Sequence, residues 1–259
     1  MAETFEPNKD PDQRPALPEG KECLVALHEE RENMGQSSSD ELMKDPKKEA
    51  PPNYLTRFER TVVPPELDDS KREVPMMGSK KALEYYEKLV GHEKKSFGWI
   101  MKIEVFGVEV TVNIVMACLL KELEARCKAM GMAEDFKFKN LSGYVVKGGF
   151  HDYGMAIDFD APDNWLAKPE KTKWNLPMAM VIELQKMGFK WGMYFDKGRS
   201  DGMTDAMHFE YRGTIEDAIG QLKSPEAIQL AESCVLPKRF GEKTLYQYAL
   251  RDKESLSRV

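Results

Sequence analysis

Gly149-Phe-His151-Asp-Tyr-Gly154-Met-Ala156-Ile-Asp158-Phe-Asp160 is the stretch from which the rest of the chain can be read. The run Ala156 to Phe159 suits an extended strand. A strand's period of two sends Ile157 and Phe159 to one face and Asp158 to the other. An imidazole therefore precedes a strand-borne carboxylate by seven residues, and Gly154 and Ala156 between them keep bulk away. Both are metal-ligand types, and a strand is a rigid mount for one. A third candidate ligand is His208, in Asp205-Ala-Met-His208-Phe-Glu210-Tyr-Arg. Here 208–211 reads as a strand with His208 and Glu210 on one face and Phe209 and Tyr211 on the other.

Working outward, Trp99 to Val112 alternates around Phe106-Gly107 and predicts a hairpin. Asn113 then caps a helix with Met116, Leu119, Leu120, Leu123, Cys127 and Met130 at helical spacing, ended by Gly131. Another helix is expected after an N-cap at Ser79, stopping at Gly91. Asn175 is expected to cap one that has Pro177 in its first turn and runs to Gly188. Phe136 to Tyr144 alternates weakly, Ala161 to Lys173 reads as a surface loop rimming the site, and Phe189 to Trp191 reads as a strand. Asp196 to Thr204 is loop. Helices close the chain at Ile215 to Leu222, at Pro225 to Cys234 after Ser224, and near Lys243 to Arg251. The expected class is α+β, with a small antiparallel sheet carrying a zinc site, flanked by helices. Residues 1–78, rich in Pro and charge, form a long N-terminal arm, partly disordered or draped on the domain, and 79–259 form the zinc domain with a C-terminal helical extension.

With 259 residues the chain can bury a full core unaided, so a metal would serve chemistry rather than folding. Its net charge of −6 gives no general attraction to nucleic acid or to anionic membranes. No run is long enough to span a bilayer. The four cysteines contain no Cys-x-x-Cys pair and read as reduced thiols. The N-terminus lacks a basic start and an apolar run, so synthesis as a soluble cytoplasmic chain is expected. Nothing in the sequence sets an oligomeric state.

Hydrolytic zinc sites hold the ion with three side chains and leave one position for a water, whose pKa falls to about 7. His151, Asp158 and His208 supply that set for one zinc per chain. Asp205, three residues before His208, is the candidate general base. A lone strand histidine is usually a hydrogen-bonded core or surface residue. Two of the chain's four histidines, however, sit in compact motifs bracketed by glycine or acid, which favours a shared site. His28 and His92 have no such setting and read as surface residues. An iron triad of two histidines and a carboxylate uses the same ligand types, but its first two ligands usually lie closer in sequence than these.

The runs His151-x-x-Gly154-x-Ala156-x-Asp158 and Asp205-x-x-His208, with Lys186-Met-Gly-Phe-Lys-Trp191-Gly between them, resemble the zinc D-alanyl-D-alanine carboxypeptidase and L-alanyl-D-glutamate endopeptidase family. The resemblance covers about Asn113 to Gly213. It implies a compact α+β domain that cleaves peptide bonds in peptidoglycan stem peptides, with His151, Asp158 and His208 on zinc and Asp205 as catalytic base. Several members of that family are phage endolysins. Relatives carry an arginine and a serine just before the first histidine. Here Gly149 stands where the serine would be, and Lys147 is the nearest cation. Lys147, Tyr153, Trp191 and Arg199 are the candidate substrate-binding residues. A chain of this kind would act on the cell wall after release or non-classical export. Two alternatives stand beside it: a zinc-binding signalling or structural domain of the same fold, and a zinc peptidase for another substrate. Retention of Asp205 weighs against the first, since a structural site needs no base.

Overall fold

The computed structural model describes residues 57, 59–91, 98–132, 137–146, 148–195, 202–241 and 243–249. Chain contacts group 50–259 as one compact unit, so packed structure begins well before Ser79. The part of the expected arm before residue 57 lies outside the described residues.

Among the described residues the first α-helix, α1 (Ser79–Val90), starts after Gly78, so Ser79 is its first residue and not its cap; Gly91 ends it as expected. Strands β1 (Ile100–Val105) and β2 (Val108–Asn113) pair antiparallel. Their two-residue turn has Phe106 at φ 50° and Gly107 at φ 72°. Positive φ at both central positions matches the twist of a hairpin. The Asn113 side chain accepts from the Val115 amide, which fixes the start of α2 (Ile114–Ala129). Every residue of α2 from Ile114 to Leu120 is buried. A helix apolar on all sides is an interior helix, and α2 forms the centre of the core.

The sheet that carries the candidate ligands has the order β3-β4-β8-β6, from β3 (Leu141–Ser142), β4 (Ala156–Phe159), β6 (Phe189–Trp191) and β8 (His208–Tyr211), paired antiparallel. One face buries Ile157, Phe159, Phe209, Tyr211, Phe189 and Trp191. Between β4 and β6 runs α3 (Met178–Lys186), whose N-cap is Pro177 rather than Asn175. Asn175 is engaged elsewhere, its amide donating to Asn164 Oδ1 (2.8 Å) and its side chain to Asp163 (3.3 Å). The expected surface loop contains a short strand, β5 (Leu166–Ala167), paired with β7 (Thr204–Asp205). After β8 come α4 (Ile215–Gly220), opened by a Thr214–Asp217 capping box, and α5 (Pro225–Ser233), capped by Ser224. Residues 245–249 are helical.

Before α1, the segment from Arg60 to Met77 is stitched to the domain. Arg60 and Trp174 exchange backbone bonds (2.7 and 3.1 Å), Glu73 N–H donates to Lys186 O (2.9 Å), and Met77 N–H donates to Arg212 O (2.9 Å). Cys118, Cys127 and Cys234 are free thiols, and burial pushes each of them up. Cys23 lies outside the described residues. Among the described residues no helix is long and apolar enough to cross a membrane.

Candidate metal centre

In β4 and β8 the cross-strand partners are Asp158 and His208, so two of the three candidate ligands leave the same face of the sheet side by side. His151 arrives from a 3-10 turn over Gly149–Tyr153 that ends at Gly154. Gly154 sits at φ 64°, and a Cβ there would lie 2.5 Å from the Asn113 backbone nitrogen. Any side chain at that position would push the turn off the start of α2, which explains the glycine four residues before Asp158. From the other side, Asn113 Nδ2 donates to the Tyr153 carbonyl (3.1 Å). The residue that caps the core helix therefore also holds the turn that presents His151.

The ligand atoms of His151, Asp158 and His208 all lie within 4.8 Å of one another. His151 Nε2 is 3.1 Å from His208 Nδ1 and 3.2 Å from Asp158 Oδ1, and His208 Nδ1 is 2.9 Å from Asp158 Oδ1. His151 and Asp158 are buried, and His208 is 9% exposed. The outer ring nitrogens are engaged separately. His151 Nδ1–H donates to the Gly143 carbonyl (2.5 Å), and His208 Nε2 faces Glu210 Oε2 (3.4 Å). A carbonyl can only accept, so the His151 proton belongs on Nδ1 and its Nε2 lone pair points inward.

Two imidazole nitrogens and a carboxylate oxygen thus converge at about 3 Å, a donor set that a single cation could bridge. Outer nitrogens committed to a carbonyl and a carboxylate are what orients histidines around a metal. The cluster can hold a metal ion, and the donor set suits zinc. Burial pushes the Asp158 carboxyl up, but the hydrogen bonds to His151 and His208 outweigh this and hold it well below the usual carboxylate range. Burial lowers the His208 pKa, and the bonds to Asp158 and Glu210 reverse this and push it up to about 9.

Asp205 ends β7, opposite Leu166 of β5, and is half-buried. Its backbone presses on Gly192, where a Cβ would lie 2.3 Å from Asp205 O and 2.9 Å from Asp205 Cβ. Trp191 Nε1–H donates to Ala206 O (2.8 Å), and its ring stacks on Phe209 at 5.6 Å. Trp191-Gly192 is therefore the seat of the turn that joins Asp205 to His208. This corrects the expectation that Trp191 meets substrate: it is 0% exposed and acts from beneath. Tyr153 is half-buried and packs against the core. Lys147 and Arg199 lie outside the described residues, as do His28 and His92.

Sequence reasoning missed two groups that orient the histidines. Glu210, ion-paired with Arg212, was legible as the same-face neighbour of His208, because His208, Glu210 and Arg212 follow the strand period. The Gly143 carbonyl carries no side-chain signal at all.

Fold and site together define a small α+β domain with a buried cluster of two histidines and an aspartate that could hold a metal ion. Residues 146–211 match the family model described as D-alanyl-D-alanine carboxypeptidase, in agreement with the resemblance carried by the two motifs. No curated protein and no solved structure matches the chain.

Proposed function

We propose that the chain is a zinc-dependent peptidase that hydrolyses peptide bonds in peptidoglycan stem peptides, of L-alanyl-D-glutamate endopeptidase or D,D-carboxypeptidase type. The observation that carries this reading is the inward convergence of His151 Nε2, Asp158 Oδ1 and His208 Nδ1 with both outer nitrogens engaged, inside the segment that matches a peptidase family. His151, Asp158 and His208 would hold one zinc, which when bound supplies a water of lowered pKa and polarises the scissile carbonyl. Asp205 takes the proton of the attacking water and hands it to the leaving amine. Glu210 and Gly143 keep the two imidazoles in the tautomers that leave their inner lone pairs free. On this reading the chain acts at the cell wall, after release or export from the cytoplasm.

The test is incubation with purified sacculi and defined muropeptides, with and without chelator, with products identified by mass. Chelator-sensitive cleavage that Asp205→Ala abolishes while zinc stays bound is the expected result. Stoichiometric zinc with no turnover by the wild type on any of these substrates would move the chain to the non-catalytic alternative.

A further inference from the structure

Leu166 and Asp205 are direct cross-strand partners in the β5–β7 ladder. Such partners send their side chains to the same face, with Cβ atoms about 4.5–5.5 Å apart. The next pair, Ala167 and Thr204, takes the other face. There Thr204 is 2% exposed, and its hydroxyl donates to Ala167 O (3.0 Å) and lies 2.6 Å from Thr172 Oγ1. Leu166 therefore stands beside the candidate base, on the face that is not packed away. It is 36% exposed, and no other leucine among the described residues is exposed.

A second apolar side chain reaches the centre from the turn that seats Asp205. The 3-10 turn Gly192–Tyr194 meets the Asp205 backbone at its first residue. Just past its last, Phe195 N–H donates to Gly192 O (3.2 Å), and the half-buried Phe195 ring lies 5.6 Å from the ring of His208. One turn thus touches the candidate base at one end and sets an aromatic ring against a candidate ligand at the other. Leu166 and Phe195 are neutral hydrocarbons at a centre whose working groups, His151, Asp158, Asp205 and His208, are all polar. The hydrolytic steps give neither of them a task.

The chemistry says what would meet them. A group that protonates the leaving amine has to come within hydrogen-bond reach of it. The side chain of the residue that bears this amine branches from the very next atom, so it falls among the neighbours of Asp205. We propose that Leu166 and Phe195 form the subsite for that side chain and select a small alkyl group over a charged one. This rests on the peptidase reading and extends it from the bond broken to the residue released. Hydrocarbon walls gain from each methyl group they cover, and they leave a carboxylate without a partner.

The test uses the full zinc-loaded chain and a soluble stem peptide synthesised with alanine, glycine or aspartate as the residue whose amine leaves. We expect kcat/KM to fall about fourfold from alanine to glycine, the worth of one methyl group, and about tenfold or more from alanine to aspartate. Leu166→Lys should bring the aspartate peptide at least level with the alanine peptide. Phe195→Ala should remove the preference for alanine over glycine. Zinc content is measured on each variant, and the ratio between substrates is what is read, because a merely structural loss lowers all three rates together. Equal rates on the three peptides in the wild type, or ratios left unaltered by either variant, would overturn the subsite and leave the peptidase reading intact. If none of the three peptides is cut with zinc bound, the peptidase reading falls and the subsite falls with it.

Discussion

At His208 two carboxylates act on one imidazole, Asp158 on Nδ1 at 2.9 Å and Glu210 on Nε2 at 3.4 Å. Burial works against the charged ring, yet the carboxylates prevail and its pKa rises from 6.5 to about 9. The metal-free fold therefore keeps a proton on His208 at neutral pH. Because the folded value lies above the unfolded one, this proton's contribution to stability is complete below about pH 6.5 and is lost as pH rises through about 9. Zinc must displace that proton from Nδ1. Its apparent affinity should fall about tenfold for each pH unit below 9, with one proton released per ion bound. Chelator competition between pH 6.5 and 9 reads this slope, and a flat profile would contradict it. Glu210→Gln keeps the shape of the side chain and removes its charge, so zinc binding should weaken about 10- to 100-fold, as for other outer-nitrogen partners of metal histidines. His208→Ala should lose stoichiometric zinc in metal analysis, and full retention would remove His208 from the ligand set.

Between elements, two small positions carry the geometry. Asn113 accepts from Val115 N–H with its oxygen and donates to Tyr153 O with its amide nitrogen. Asn113→Ala should cost about 1–2 kcal/mol from the lost cap alone. Asn113→Asp keeps the cap acceptor but not the donor, so it should regain most of that stability in urea unfolding and still bind zinc more weakly than wild type. Gly192→Ala would force the Asp205 backbone away from a Cβ with which it cannot coexist. Zinc content should stay stoichiometric while kcat falls, and unchanged kcat would mean that Asp205 is not held through this contact. The hairpin, the capped core helix and the His208 strand were legible because each declares itself by a period or a cap within a few residues. The β5–β7 ladder was not, since its strands of two residues are too short to show any alternation. Nor was the failure of Asn175 to cap α3, because its competing partners Asn164 and Asp163 lie more than ten residues back in the chain. The clustering of His151, Asp158 and His208 was legible from two compact motifs some fifty residues apart. What orients it was only half so, since a backbone carbonyl such as that of Gly143 leaves no mark in the sequence.

For the molecule as a whole, the segment before α1 decides where the working domain begins. Composition makes residues 1–78 an arm, partly disordered or draped on the domain, and the span from Arg60 to Val74 is anchored to the domain at several points. The Arg60 guanidinium lies 4.9 Å over the Trp174 ring and donates to Leu176 O at 2.8 Å. Arg72, its side chain only 2% exposed, donates to Gln185 O at 2.7 Å and to Leu67 O at 3.1 Å. Val74 is 3% exposed, and a Cβ added at Gly188 or Gly213 would strike it at 2.8 Å. Both glycines flank site-bearing strands, β6 after Gly188 and β8 before Gly213, so the segment braces the sheet from behind. A large aromatic such as Trp174 buries roughly 150–250 Å², and uncovering half of that costs about 2–3 kcal/mol at about 25 cal/mol per Å². Loss of the Arg72 bonds to these part-buried carbonyls adds at most about 1–3 kcal/mol for each acceptor left dry. A chain beginning at Ser79 should therefore be several kcal/mol less stable in urea than one beginning at Ala50, or fail to fold, and its zinc affinity should fall with it because the brace reaches β6 and β8. Equal unfolding midpoints for the two truncations would show that the sheet stands without the segment. The single substitution Arg72→Ala, which leaves the chain length alone, would then have to be neutral as well.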